Sequence, residues 1–189
     1  MTGSLSGFST QIVFDGVRVD VEQLATTATL GNFASPRLGW SASAGGVWAG
    51  RIDGRDVHGG ASFGGTLSWL PVYEAPTRPF IAVTASLSGA FARAEADDAR
   101  THSWWSFDAR GGVTVGKTLA GRWVPYASAR GFGGPVLWTL AGAGVSGGDR
   151  YHVTLGGGLI VRLPRSIDVT AEAMPLGEQS FALGVTVHP

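Results

Sequence analysis

The chain contains no cysteine, which excludes disulfide scaffolds, thiolate metal sites and thiol catalysis together. Charge is scarce as well: 15% of residues are charged, the formal net charge is zero, and Lys117 is the only lysine. A nucleic-acid-binding surface needs a basic excess, and this composition holds none. A soluble barrel should spread Lys and Glu over its outer face, and a single lysine supplies that poorly. No run approaches the ~20 apolar residues of a membrane-crossing helix, and no segment of helix length repeats its apolar residues with a 3.6-residue period. Met1 leads directly into Thr2-Gly3-Ser4-Leu5-Ser6-Gly7. No secretory leader is present in this chain, and a mature exported domain looks the same here as a cytosolic protein.

What is abundant is alternation. In the stretch from Ser103 to Gly133, Trp105, Phe107, Ala109, Gly111, Val113 and Val115 share one face, while Ser106, Asp108, Arg110, Gly112, Thr114 and Gly116 share the other. That period of two is a strand. A second arm sets Trp123, Pro125, Ala127 and Ala129 against Arg122, Tyr126, Ser128 and Arg130, with Lys117 to Gly121 as the connection. Folding the arms about Leu119 predicts that Asp108 faces Arg130.

The same pattern recurs along the chain. Asp15-Gly16 between alternating arms is a hairpin signal that pairs Phe14 with Val17 and Ile12 with Val19, leaving Gln11, Val13, Arg18 and Asp20 on the other face. The second arm continues through Leu24, Ala28 and Leu30 if a bulge near Glu22-Gln23 restores the phase. From Leu38 the apolar set is Leu38, Trp40, Ala42, Ala44, Gly46, Trp48 and Ile52; then Val57, Ala61, Phe63, Leu67, Trp69 and Tyr73; then Ile81, Val83, Ala85, Leu87 and Phe91. Beyond the hairpin, Gly134 to Asp149 reads as a long Gly-rich connection with Trp138 at a loop tip near the membrane interface. Strands then follow around Val153–Val161, Ile167–Ala173 and Phe181–Val187, and the turn near Arg165 puts Arg162 opposite Asp168. Connections alternate between short and long.

One face is apolar and the other is Ser, Thr and Gly with charges, so the question is which is wet. Eight residues separate Trp40 from Trp48, about 20 Å along a membrane normal at ~3.3 Å per residue and a tilt of ~40°. Trp40, Trp48, Trp69, Tyr73, Trp105, Trp123 and Tyr151 fall near strand ends, as aromatic girdles do. The other face, with Arg18, Arg51, Asp108, Arg110, Arg130, Arg162, Asp168 and Glu172, cannot pack as a dry core and reads as a small polar lumen in which arginine exceeds acid. The fold class is therefore all-β, a transmembrane antiparallel up-and-down barrel of eight or ten strands in a single domain over residues 1–189. Residues 37–188 hold eight regular strands, and 1–36 form a hairpin that adds two further barrel strands or stands as an extension. Ten keeps the count even with the same two-faced pattern.

Over Leu38 to His188 this strand pattern, its alternation of short turns with long loops, and the final strand Ser180-Phe181-Ala182-Leu183-Gly184-Val185-Thr186-Val187-His188 resemble the small bacterial outer-membrane β-barrels, the OmpA/OmpX-like group. Gly184 and Val187 match the register of that group's C-terminal assembly signal, whereas Pro189 departs from its terminal aromatic. The resemblance implies a bacterial outer-membrane location, membrane lipids and lipopolysaccharide as surroundings, both termini on the periplasmic side, and a monomer.

The functional expectation is a narrow channel for small solutes or a structural barrel with a salt-bridged lumen, with no enzyme activity, no cofactor, no metal and no nucleic-acid partner. Asp108, Arg130, Glu172 and Arg110 read either as a static plug or as a gate. Two other classes compete. A soluble barrel would turn the apolar face inward around an apolar ligand. A rim enzyme acting on lipid would use His58, His102-Ser103 or His152, although no Gly-x-Ser-x-Gly, HExxH or P-loop pattern accompanies them.

Overall fold

Among the described residues, every element of the computed structural model is a β-strand, as alternation with a period of two requires. The description covers residues 1–14, 16–52, 54–95, 101–140 and 143–188, without the side chains of Arg55, His58, Ala94, Glu95, Thr101, His102, Thr139, Leu140 and Ala143. Asp15 of the expected turn, and the His58 and His102 side chains, thus lie outside the described residues. The strands are β1 (Thr2–Phe14), β2 (Val17–Ser35), β3 (Leu38–Ile52), β4 (Arg55–Val72), β5 (Phe80–Glu95), β6 (Thr101–Gly116), β7 (Trp123–Gly133), β8 (Pro135–Leu140), β9 (Ala143–Asp149), β10 (Val153–Leu163), β11 (Ile167–Leu176) and β12 (Gln179–Val187).

Ten of these make a closed wall: β1 to β7 in sequence, then β10, β11 and β12, with β12 pairing back to β1 from Thr2↔Thr186 to Ser9↔Gln179. All pairs are antiparallel. The first hairpin therefore supplies two wall strands. Its register is the one the Asp15-Gly16 turn predicts, with Phe14↔Val17, Ile12↔Val19 and Gln11↔Asp20, and Gly16 adopts a φ of 84° that favours a residue without Cβ.

Below the long-loop end the wall is apolar outside and polar inside. Leu87 is 70% exposed on the outer face, while the hydroxyls of Thr2 and Thr186 meet at 2.9 Å, and those of Thr114 and Ser128 at 3.2 Å, on the inner one. A sheet this apolar outside and hydroxyl-lined inside is built for a bilayer, where closure leaves no unpaired edge.

At the long-loop end the chemistry of the two faces exchanges. Along β1 the inward row runs Thr2, Ser4, Ser6 and then Phe8, Thr10, Ile12, Phe14, without a break in register against β2. The bulge expected near Glu22-Gln23 is absent for that reason: the strand needs no change of phase, because the residues themselves change character. In β3 there is a change of phase, at Trp48, where Leu24↔Ala49 and Ala25↔Val47 bracket one extra residue. Ile52, expected on the lipid face, is consequently turned inward and is 2% exposed. A similar shift between His58 and Gly60 turns Val57 inward.

The segment Gly134 to Asp149 is a further correction. It is the hairpin β8–β9, in which β8 pairs with β6 through Trp104↔Trp138, Trp105↔Leu137 and Ser106↔Val136, and β9 pairs with β1 through Ile12↔Asp149, Val13↔Gly148 and Phe14↔Gly147. Above the wall, β1 to β6 with β8 and β9 thus close into a second, eight-membered ring of strands, a head. Its interior is apolar: Ile12, Phe14, Val19, Val21, Val47, Ile52, Val57, Ala92, Trp104, Val136 and Trp138 form one buried cluster. Trp138 is a core residue here, its ring 5.9 Å from that of Phe14.

At the opposite end two short turns clasp each other. Glu74 accepts bonds from the Thr118 backbone N–H and hydroxyl, both at 2.7 Å, and Lys117 donates to the carbonyls of Ala75 at 2.7 Å and Pro76 at 2.6 Å. The Thr118 bonds, side chain first, hold the Glu74 carboxyl below its ordinary value of 4.5. Because the folded value is depressed, this contribution is present at neutral pH and is lost as pH falls through the folded value. Glu74→Gln should lower stability at pH 7 and bring the acid-side slope of unfolding below pH 4.5 closer to flat; identical slopes in the two proteins would contradict the clasp.

The wall's facing makes a stronger prediction. Leu87→Arg puts a cation against lipid, at ~2–4 kcal/mol near the bilayer middle, whereas Ser88→Arg points into the lumen beside Asp108, its partner across β5–β6. Folding into lipid vesicles should fail for the first and survive for the second.

Candidate functional site

Directly beneath the apolar head, the lumen opens into a cavity of about 330 Å³ lined in part by Ser6, Ser62, Ser88 and Ser106. Small side chains on the inward rows of β4 and β5, Ser62, Ser88 and Ala90, leave this room. The charged residues that enter it come from four places: Asp108 and Arg110 on β6, Arg130 on β7, Glu172 on β11, and Glu178 in the turn between β11 and β12.

They form two separate ionic clusters. In one, the Arg110 guanidinium is held at 3.0 Å by Asp108 through Nε and grips Glu178 with both terminal nitrogens, at 3.0 and 3.4 Å. A forked pair of this kind fixes direction as well as charge. The same guanidinium lies 4.7 Å from the centre of the Phe132 ring. In the other, Arg130 contacts Glu172 at 2.5 Å and the Tyr126 hydroxyl donates to the same carboxylate at 3.0 Å.

Glu178 is buried, and its position is prepared by two neighbours. The Thr154 hydroxyl, 1% exposed, contacts the carbonyls of Leu176 at 2.8 Å and Glu178 at 3.0 Å and so pins the turn. Gly177 turns the chain with a φ of 88°, where a Cβ would stand 2.0 Å from the Val153 carbonyl oxygen. Sequence reading passed over Glu178 because it sits in a turn; the signal is an acid beside a glycine at a strand end facing a polar lumen.

The expected Asp108–Arg130 pair is not formed. Arg130 stands opposite Gly112, and Arg110 opposite Phe132, an offset set by the turn. The tight part lies at Ala120 and Gly121, with φ of 48° and 70°, and the Arg122 N–H bonds to the Leu119 carbonyl at 3.2 Å. Two successive left-handed residues make the turn type that suits a hairpin, and it is centred two residues beyond Leu119.

Of the other residues expected in the lumen, Arg18 and Arg51 are outside it. Arg18 alternates with buried Val19, and Arg51 is solvent-exposed beside Asp56 at 3.8 Å, because the head faces water where the lower wall faces lipid. With both removed and Glu178 added, acids outnumber arginines around the cavity, the reverse of the expected excess of arginine. Arg162 does stand opposite Asp168, but the carboxylate contacts His188 at 3.0 Å. Trp40, Trp48, Trp69, Tyr73, Trp105, Trp123 and Tyr151 are all exposed on the outer surface. His152 Nδ1 lies 3.3 Å from the Phe132 carbonyl oxygen. Among the described residues, no three His, Asp or Glu side chains gather to hold a metal ion.

Fold and lumen together define the class: a closed ten-stranded antiparallel barrel of the transmembrane type, with a polar interior capped by an apolar head. Neither protein-family models nor curated proteins match the chain. Among solved structures it is similar to the beta domain of the Bordetella autotransporter BrkA, at 15% identity over 97% of each chain and a TM-score of 0.49. It is also similar to the transport unit of the autotransporter AIDA-I from Escherichia coli, at 10% identity over 100% of this chain and 89% of that one, with a TM-score of 0.47. The Pseudomonas putida toluene transporter TodX follows at 10% identity over 97% and 87% of the two chains, with a TM-score of 0.35.

The two ionic clusters predict a pattern of couplings. In a double-mutant cycle measured by denaturant unfolding in vesicles, Arg130→Ala and Glu172→Ala should couple by about 0.5–3 kcal/mol, whereas Asp108→Ala and Arg130→Ala should be additive. The reverse pattern would restore the register about Leu119.

Proposed function

We propose that this protein is an integral barrel of the bacterial outer membrane, monomeric, with both termini on the periplasmic side and the head outside. Its lower wall is bathed by membrane lipid, and lipopolysaccharide surrounds it at the long-loop end. It works without catalysis and without a cofactor. Kinship with the OmpA/OmpX-like group is supported by the final strand, Ser180 to His188, while the ten wall strands exceed the eight of those small barrels.

The observation that carries the functional reading is the apolar cluster of the head. Eleven buried side chains lie across the axis above the polar cavity, and they exclude water where a freely open channel would need it. In this arrangement the barrel stands shut, with a lumen fixed by ion pairs below and a dry core above. A narrow solute channel and a structural barrel differ only in whether that head ever opens.

The soluble alternative, with its apolar face inward around a ligand, fits the head alone; the wall below has its hydroxyls inside and Leu67, Leu87 and Leu183 outside. Purification distinguishes the two. The protein should stay monodisperse only in detergent or lipid, and aggregate on detergent removal. A stable monomer in plain buffer would overturn the membrane assignment.

A further inference from the structure

We propose that the β8–β9 hairpin is a hinged lid over the lumen, and that its release opens a path for small hydrophilic solutes. The inference rests on the membrane-barrel reading and adds a moving part to it.

The lid is weakly tied on both sides. Among the described residues three pairs join it to β6 and three to β1, against eight across the β1–β12 seam and thirteen between β1 and β2. Among the described residues its own two strands share six pairs, as many as join it to β6 and β1 together. The chain leaves the wall at Gly133-Gly134; a Cβ on Gly134 would stand 1.8 Å from the Phe107 carbonyl oxygen, so only glycine passes there. It returns at Asp149-Arg150, where Arg150 bonds to Gln11 through backbone and side chain.

The closed seat is also under-satisfied. Among the described residues, the buried side-chain atoms without a hydrogen-bond partner are Thr10 Oγ1, Trp104 Nε1, Trp138 Nε1 and Asp108 Oδ1. Trp104 and Trp138 oppose each other across the β6–β8 seam, Thr10 precedes the β1 residues that pair with β9, and Asp108 belongs to the cluster below. Buried groups of this kind cost stability that hydration returns. Opening the lid would admit that water. Against this, Val136 and Trp138 in the apolar cluster hold it down, and opposed tendencies of this sort make a two-state element.

Charge tips the balance. Asp149, in the head and clear of the membrane, is faced by Asp108 and Arg110 from β6, Glu178 from the β11–β12 turn and His152 before β10, with Arg150 beside it in the chain. Burial, then Asp108 and Glu178, push its carboxyl up from 3.8 to about 6, against the opposite pull of Arg110 and His152. A raised value means that the closed seat prefers the protonated acid. The lid is therefore most stable below pH 3.8, loses stability as pH rises toward 6, and changes little above that. A difference of about two pKa units shifts the open-to-closed ratio ~100-fold in favour of opening between pH 3 and pH 7.

The absence of native cysteine makes the test direct. Full-length protein is inserted in planar bilayers, alongside Val13→Cys/Gly148→Cys, a pair directly opposite across β1–β9, and Asp149→Asn. Open probability of the parent should rise by one to two orders of magnitude from pH 3 to pH 7. Asp149→Asn should keep it at the acid level throughout, and oxidation of the cysteine pair should abolish conductance at every pH until a reductant restores it. Conductance that is indifferent to the disulfide, indifferent to pH, or absent at every pH from protein shown to be folded and inserted would overturn the lid. None of these would touch the barrel assignment, which detergent dependence decides separately.

Discussion

The pairing of β12 with β1 is the constraint on which the rest depends. Every wall strand has both edges satisfied only because Thr2 to Ser9 meets Thr186 to Gln179; without that seam, two rows of backbone N–H and C=O groups would face hydrocarbon, at several kcal/mol for each group. Closure also frees the side chains from any need to cover an edge. The outer face can then be as apolar as lipid requires, and the inner face can carry hydroxyls and ion pairs that a soluble core could not accommodate.

The same strands serve two solvents. In the lower wall, water is inside and lipid outside; in the head, water is outside and the interior is dry. β1 makes the passage within one unbroken register, from Thr2, Ser4 and Ser6 to Ile12 and Phe14 on its inward row, and from Leu5 to Gln11 on its outward one. The charged residues follow the water. Arg18, Asp20, Glu22 and Arg51 decorate the outside of the head, whereas Asp108, Arg110, Arg130, Glu172 and Glu178 gather inside the wall. The ionic clusters lie at the level where the dry core ends, which is where a ten-stranded ring gives way to one of eight.

Much of the wall was legible from local pattern. Alternation from Leu38 onward gave the strands and their lipid face, and the turns at Asp15-Gly16 and near Arg165 fixed two registers without reference to any distant residue. What escaped had tertiary causes. Ala120 occupies a left-handed conformation that a non-glycine residue rarely takes, so the β6–β7 hairpin was centred too early and Asp108 was paired with the wrong partner. Gly-rich sequence around Trp138 looked like a loop because β8 and β9 are short and owe their pairing to β6 and β1. Arg18 was misplaced because one rule for which face is wet was applied to a strand that crosses from lipid into water, whereas Arg51, Ile52 and Val57 lie beyond shifts of phase at Trp48 and between His58 and Gly60 that alternation alone does not announce.

The exchange of faces between wall and head is the central claim, and it can be read residue by residue. Single spin labels placed along β2, from Val17 to Ser35, in vesicle-inserted protein report access to a water-soluble relaxant and to oxygen dissolved in the bilayer. From Ala25 to Thr29 the inward positions Ala25, Thr27 and Thr29 should see the water-soluble relaxant, and the outward positions Thr26 and Ala28 should see oxygen. From Arg18 to Glu22 the phase should invert, with Arg18, Asp20 and Glu22 open to the water-soluble relaxant and Val19 and Val21 closed to both. One uninterrupted alternation along the whole strand, with the same parity wet from end to end, would contradict the account.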